Sequence, residues 1–296
     1  MKSAAVPVLE RATCTLSGTT EVAGVIGDPI AHSLSPVMHN AAYAALAMNR
    51  VYVPFHVPAA GLKAALRGVV GLGILGVNIT VPHKERAARQ LSELSDEARL
   101  LGVVNCIVNR AGRLVGDNTD ARGLQLDLQR LGTRLRGRQV VLIGAGGGAA
   151  SALLALQRAG VERVYLANRT RARAVRLGRR FPSLDLEIVG LADLANPSLI
   201  ASAAAVINAT SIGLQGEPFP ELAYDAASDD CLFYDLIYRR ETTSFLKPAR
   251  ARGLATADGI GMLLGQGVIA FELINGVAAP EPAMREALWS AVGRTL

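Results

Sequence analysis

From about Thr19 onward, short apolar runs alternate with stretches whose apolar residues recur at helical spacing. Val22–Ile26, Tyr52–Val57 and Ile74–Thr80 read as strands. Pro36–Ala47 reads as a helix, with Ser35 as its N-cap and Pro36 at the first helical position, where a missing N–H costs nothing. Asn105–Val108 and Arg113–Val115 flank Ala111-Gly112, which predicts a tight hairpin. Strands mixed with helices and a hairpin predict an α/β unit built on a mixed sheet.

A second α/β run begins near Gly123. The helix Leu124–Leu131 ends at Gly132, and strands follow at Val140–Ile143, Val164–Ala167, Leu186–Val189, Ala205–Asn208, Cys231–Tyr234 and Leu254–Ala257. Helices separate most of them. Six parallel strands with crossover helices make the doubly wound, nucleotide-binding arrangement. After Asp258 the pattern is helical to the end. A chain of 296 residues is long for one core, which favours two domains. No internal repeat or low-complexity segment interrupts this pattern.

Composition narrows the classes. With 50% apolar and 19% charged residues the chain can bury a large core and is not disordered. Aromatics are scarce at 4%, so packing is expected to rely on Ala, Val, Leu and Ile. The net charge of +6 is spread out, with no basic run interleaved with aromatics, so small anionic ligands are expected rather than nucleic acid. The only lysines are Lys2, Lys63, Lys84 and Lys247, so a lysine inside a motif carries weight. Cys14, Cys106 and Cys231 lack paired spacing, which argues against a disulfide framework or zinc site and fits a reducing cytoplasm. The N-terminus has one early Lys followed by Val6–Glu10, and no apolar run is long enough for a signal segment or a membrane span.

The strand Val140–Ile143 runs into Gly144-Ala145-Gly146-Gly147-Gly148-Ala149 and then a helix. Gly144 permits the tight turn, Gly146 lets the backbone approach a pyrophosphate, and Ala149 keeps helix and strand close. Free N–H groups of the new helix would face the phosphates. An ordinary strand-to-helix turn could use the same glycines; the complete strand–turn–helix context favours a dinucleotide. At the end of the next strand an NAD site would place Asp or Glu. Here stand Asn168, Arg169 and Thr170, followed by Arg171 and Arg173, which suit a 2′-phosphate. Arg176, Arg179 and Arg180 read as a solvated helix face.

Polar clusters close other strands. Ser33 and Ser35 precede a helix, where hydroxyls and free N–H groups could bind a carboxylate; plain capping would explain Ser35 but not Ser33. Asn78 and Thr80 close a strand and Lys84 lies shortly after it, where a desolvated ammonium could donate a proton, although a surface lysine opening a helix is the plainer reading. Gly116-Asp117-Asn118-Thr119-Asp120 falls at the junction of the two expected domains and reads either as a polar hinge with a helix cap or as part of a ligand site. His32, His39, His56 and His83 show no metal-ligand spacing, so no metal is expected; His32 and His83 read as local hydrogen-bonding groups, His39 and His56 as structural ones.

Taken together, these motifs resemble the shikimate dehydrogenase family from about Val22 to Gly276. They are Gly27–Asn40 with Ser33-x-Ser35-Pro36, Asn78–Lys84, Gly102-Val103-Val104-Asn105, Gly116–Asp120, Gly144–Gly147, Asn168-Arg169-Thr170, Asn208–Ser211, Tyr234–Tyr238 and Asp258–Gln266. The resemblance implies two α/β domains: a mixed-sheet substrate domain at 1–119 and 259–296, and a Rossmann NADP domain at 120–258. It implies a catalytic pair at Lys84 and Asp120, and shikimate contacts at Ser33, Ser35, Asn78, Thr80, Asn105, Tyr238 and Gln266. NADP contacts are implied at Gly144, Ala145, Gly146, Gly147, Gly148, Asn168, Arg169, Thr170, Arg173, Thr210, Leu236 and Gly259. Departures from the family pattern are Val103, Gly148 and Ile274, all packing positions. The implied activity is NADP-dependent reduction of 3-dehydroshikimate to shikimate by a cytoplasmic monomer or homodimer. Alternatives are an NAD-using quinate/shikimate dehydrogenase and a catalytically silent, ligand-sensing relative.

Overall fold

The computed structural model describes residues 16–294; Lys2, Val6–Glu10 and Cys14 lie outside them. The chain divides into two compact units, one made of the chain up to Thr119 together with the chain from Gln266 onward, the other of Asp120–Gly265. The return to the first unit was expected at Gly259; the division instead falls inside a helix.

The first unit contains β1 (Glu21–Gly27), α1 (Ser35–Ala45), β2 (Arg50–His56), α2 (Leu62–Gly71), β3 (Gly76–Ile79), α3 (Lys84–Gln90), β4 (Glu93–Leu94), α4 (Asp96–Leu101), β5 (Cys106–Arg110) and β6 (Arg113–Asp117). Its sheet has the order β2-β1-β3-β5-β6-β4. β1 is parallel to β2 and β3, and β5 runs antiparallel to β3 and β6, so the sheet is mixed. Ala111 (φ 52°) and Gly112 (φ 88°) both take positive φ, the conformation that matches a two-residue turn to the twist of its strands. Leu62, Leu66 and Val69 of α2 pack on Ile26, Val77, Ile79 and Ile107 of the sheet.

The second unit contains α5 (Asp120–Arg130), β7 (Gln139–Ile143), α6 (Gly147–Ala159), β8 (Arg163–Ala167), α7 (Arg171–Gly178), β9 (Asp185–Val189), α8 (Pro197–Ala201), β10 (Ala203–Asn208), β11 (Leu232–Asp235), α9 (Leu246–Ala251) and β12 (Thr256–Asp258). α10 (Ile260–Asn275) begins there, and α11 (Glu281–Ala291) follows in the first unit, packed on α1. The second sheet is wholly parallel, in the order β12-β11-β10-β7-β8-β9. The chain starts at the centre with β7, winds outward through β8 and β9, then crosses to β10 and winds the other way. This is the doubly wound order, and ligands bind it beyond the strand ends where the winding reverses.

Two expectations need correction. Ser35 is not the N-cap of α1: Leu34 holds that position without a side-chain cap, Ser35 is already helical, and the Ser33 hydroxyl two residues earlier accepts the Ser35 N–H at 3.3 Å. The last strand of the second sheet begins at Thr256 rather than Leu254, since only Thr256–Asp258 pair in register with β11. The core is built mainly of Ala, Val, Leu and Ile, as the composition predicts, with Tyr43, Tyr52, Tyr234, Phe181, Phe233, Phe245 and Phe271 buried among them.

Candidate active site

In the first unit, the loops leaving the parallel strands β1 and β3 lie side by side. Thr80 N–H donates to Ile26 O at 2.9 Å and Asp28 N–H to Val81 O at 3.0 Å. A Cβ on Gly27 would stand 2.5 Å from Thr80 Cγ2, so glycine lets the two loops touch. Ser33 follows on the first loop and Ser35 opens α1; Asn78 stands on β3 itself, with Thr80 on the loop that follows it and Lys84 beyond that loop. Lys84 opens α3, half-buried, and its carbonyl accepts the Val104 N–H at 3.1 Å. The buried His83 ring before it donates Nε2–H to Val57 O at 2.7 Å, a partner that can only accept, which fixes the tautomer.

Three of the expected substrate residues join one buried chain of hydrogen bonds. Asn78 Nδ2 donates to the Asn105 carbonyl at 3.1 Å. Asn105 Nδ2 donates to Thr119 Oγ1 at 2.9 Å and to Gln266 Oε1 at 3.4 Å, while its Oδ1 accepts the Thr119 N–H at 2.7 Å. Asn78, Asn105, Thr119 and Gln266 are all buried. The chain extends to a residue the sequence did not single out: the Tyr52 hydroxyl donates to Asn78 Oδ1 at 2.7 Å. Neutral amides that are held by one another present donors and acceptors in fixed directions, which suits a small polyhydroxylated molecule. Asp120 and Tyr238 belong to the second unit. Asp120 is buried at the start of α5. Burial pushes the Tyr238 hydroxyl up to about 12, so it keeps its proton and can donate near neutral pH.

In the second unit, Gly144 (φ 121°) turns the chain out of β7 in a conformation that favours glycine. Its N–H donates to Ala167 O at 2.8 Å, and a Cβ there would stand 2.9 Å from Ala209 O. Gly148 packs on Leu236, with only 3.1 Å from its would-be Cβ to Leu236 Cδ2, and Gly259 lies directly against the Leu236 backbone. The structure therefore gathers Gly144, Gly148, Thr210, Leu236 and Gly259 at one end of the sheet. The first intrahelical bond of α6 runs from Ala150 N–H to Gly146 O, which leaves the N–H groups of Gly147, Gly148 and Ala149 directed out of the helix start.

The residues fit a dinucleotide. Where a Cβ on Gly146 would go, nothing lies within 4 Å, so the turn keeps a cradle open above the helix N-terminus. Beyond β8, Asn168 Nδ2 donates to Thr170 O at 2.9 Å and shapes the turn into α7. Arg169 and Arg173 are exposed and pair with no carboxylate among the described residues, whereas the Arg171 guanidinium donates to Ile188 O at 2.9 Å. Two uncommitted guanidinium groups suit a phosphate.

A polar knot under this surface also escaped the sequence reading. Asp235 Oδ1 accepts Asn208 Nδ2 at 3.0 Å and the Ile237 N–H at 3.1 Å, and Oδ2 accepts the Thr243 hydroxyl at 2.6 Å. Asn208 Oδ1 in turn accepts the N–H and hydroxyl of Thr210. Asn208 and Asp235 are completely buried, and burial raises the Asp235 carboxyl to about 6. The knot fixes the loops that carry Thr210 and Leu236. The Thr210 hydroxyl is spent within it, which suits a supporting role.

His56 Nε2 meets Asp28 Oδ1 at 2.8 Å, and His39 stacks on Tyr52. Among the described residues no group of three or more His, Cys, Asp or Glu is placed to hold a metal ion, and no helix is long and apolar enough to cross a membrane.

Comparison with known proteins agrees with this layout. Residues 25–107 match the shikimate dehydrogenase substrate binding domain, 125–215 the shikimate/quinate 5-dehydrogenase model, and 259–288 the shikimate 5′-dehydrogenase C-terminal domain. The chain is 40% identical over 288 residues to a shikimate dehydrogenase (NADP(+)) of Symbiobacterium thermophilum, covering 94% of this chain and 97% of that one. Among solved structures, shikimate 5-dehydrogenase from Thermus thermophilus in complex with NADP(H) and shikimate is similar with a TM-score of 0.80 and 37% identity, covering 92% of this chain and 99% of that one. Quinate dehydrogenase from Corynebacterium glutamicum in complex with NAD is similar with a TM-score of 0.84 and 31% identity, covering 92% and 99%. With matches to its substrate-binding, central and C-terminal segments, the chain belongs to the shikimate dehydrogenase family.

Proposed function

We propose that this protein catalyses the NADP-dependent, reversible reduction of 3-dehydroshikimate to shikimate, in the route to chorismate and the aromatic amino acids. The observation that carries this reading is the buried chain Asn78–Asn105–Gln266, a set of mutually fixed amides suited to ring hydroxyls, in the unit that also holds Lys84. Ser33 and Ser35 supply hydroxyls for the substrate carboxylate, with Thr80 and Tyr238 as further donors.

Bound NADP(H) supplies or accepts the hydride. The chain's own task is the proton. Reduction of a carbonyl builds negative charge on its oxygen, and Lys84 as an ammonium donates a proton there. In the opposite direction Lys84 must be neutral to accept it. Asp120 is assigned the partner role, a carboxylate that orients the ammonium and accepts from the reacting hydroxyl. Arg169 and Arg173 hold the 2′-phosphate, and the first turn of α6 holds the pyrophosphate. The working protein is cytoplasmic, as a monomer or homodimer.

Purified protein assayed with shikimate and with quinate, each with NADP and with NAD, tests this reading. Fastest reduction of NADP with shikimate is expected. Preference for quinate with NAD, as the name of the Corynebacterium relative suggests for that protein, would overturn the substrate and cofactor assignment. Binding without turnover would point to a sensing relative.

A further inference from the structure

Tyr52 is held from three sides. β2 is the edge strand of its sheet, and Asn40 of α1 closes that edge at this one residue: Tyr52 N–H donates to Asn40 Oδ1 at 2.8 Å, and Asn40 Nδ2 donates back to Tyr52 O at 2.9 Å. The imidazole of His39, the residue before Asn40, covers the Tyr52 ring with centroids 4.2 Å apart and planes 8° from parallel. The hydroxyl then reaches Asn78 Oδ1 at 2.7 Å. To do so the side chain passes over β1, where the in-register neighbour of Tyr52 is Ala23 and that of Asn78 is Val25. Residues two apart on a strand share a face, so all four lie on the same side of the sheet, and the smallness of Ala23 leaves the ring its path.

The directions of these hydrogen bonds are forced. The Asn105 main-chain oxygen can only accept, so the Asn78 atom facing it must be the amide nitrogen. The other end of that amide is then an oxygen, which can only accept, so Tyr52 must be the donor. One Asn78 N–H is committed to Asn105 and the second is set in a defined direction. Tyr52 itself is 1% exposed, so it is walled off from any ligand. Burial holds its hydroxyl well above the ordinary tyrosine range, and the donated proton stays in place at any assay pH.

We propose that Tyr52 is a positioning residue, which acts on binding of the hydroxylated ring by locking the Asn78 amide so that its second N–H is presented to a substrate hydroxyl. The identity of that substrate rests on the shikimate dehydrogenase reading. Asn40 and His39 are what keep Tyr52 in place, so the helix that begins at the two serines also governs the amide on β3.

The test is Tyr52→Phe, which keeps the ring and its stack and removes one hydroxyl. The Michaelis constant for shikimate should rise roughly 5- to 10-fold, the size expected for losing one neutral hydrogen bond, with kcat within about 2-fold and the constant for NADP unchanged. In an Asn78→Ala background the same change should move the shikimate constant less than about 2-fold, because residues acting as one unit are not additive. A purely structural role would lower thermal stability without this pattern. A second readout needs no substrate: nitrogen–proton NMR of the Asn78 side-chain amide should show at least about 10-fold faster hydrogen exchange in Tyr52→Phe, since exchange requires the amide to break its bonds. An unchanged Michaelis constant in a protein that turns shikimate over, an equal rise in the Asn78→Ala background, or unchanged exchange overturns the proposal. If the wild type does not oxidise shikimate, the functional reading fails, and the exchange measurement alone decides the role of Tyr52.

Discussion

Gly261 in α10 lies against Asp127 in α5 with no room for a side chain between them: a Cβ at 261 would run into the Asp127 carboxylate. That carboxylate cannot easily swing aside, because it is buried and accepts the Tyr234 hydroxyl at 2.6 Å. One turn along, Gly265 meets the Gly123 backbone, where a Cβ would stand 2.9 Å from the carbonyl oxygen. Two glycines of α10 thus set how close it comes to α5. Gly261→Ala should destabilise the protein by about 1–3 kcal/mol, the range for overpacking a filled site. Urea denaturation measures this, and wild-type stability would mean that Asp127 relaxes freely.

Lys84→Ala should lower turnover roughly 10²- to 10⁴-fold, the usual contribution of general acid–base catalysis, while changing shikimate affinity much less. Asp120→Asn should also be severely impaired, and the double variant should lose less than the sum, since residues that act as a unit are not additive. Steady-state kinetics of the four proteins decide it. Near-normal turnover in Lys84→Ala would remove lysine from the proton-donor role.

Arg169→Ala should weaken NADP binding roughly 10-fold and leave NAD nearly unchanged. A charge-assisted bond is worth about 1.5–3 kcal/mol, and the lower end applies to an exposed guanidinium screened by salt. Arg173→Ala should act the same way but more weakly. Dissociation constants for both cofactors at two salt concentrations provide the check; an equal loss for NAD and NADP would mean that Arg169 supports the adenine or the fold instead.

His39 should make the protein sensitive to acid. Burial depresses the imidazole from its ordinary 6.5 to about 3, so the neutral ring is favoured in the folded state. A base with a depressed folded value contributes its full stability above the unfolded value and loses it as pH falls toward the folded one. The loss should therefore set in below about pH 6 and continue toward pH 3, at about 1.4 kcal/mol per pH unit. His39→Phe keeps a ring over Tyr52 and should remove that component of the slope. Denaturation curves from pH 7 to 4 compare the two; identical slopes would show that His39 does not titrate in this way.

Much of the fold was legible because parallel strands buried on both faces read as unbroken apolar runs. Val140–Ile143 and Ala205–Asn208 are fully or almost fully buried and were found almost to the residue. The glycine turn was equally plain, since Gly144 and Gly148 sit where backbone or side chains leave no space. Ser35 misled because a hydroxyl before a proline looks like a cap, and only the geometry shows Ser33 taking the N–H. Tyr52 was hidden in a strand: nothing local distinguishes it from a core aromatic, and its use depends on the register that brings β2 and β3 to either side of β1. Asp127 and Asp235 were hidden for the same reason, as their partners Tyr234 and Thr243 stand on other elements.

The first unit is interrupted in the chain, and this affects its birth on the ribosome. Its sheet is complete in sequence by Asp117, but Gln266, which closes the amide chain, and α11, which covers α1, lie beyond the whole second unit. At roughly 5–20 residues per second, synthesis of that intervening stretch takes on the order of ten seconds or more. For that interval α1 lacks the helix that packs on it and the polar cluster is unfinished, while the second unit emerges as a continuous segment and can fold first. The early-made half of the binding machinery is therefore the last to be completed, and it is the half that a chaperone would need to shield.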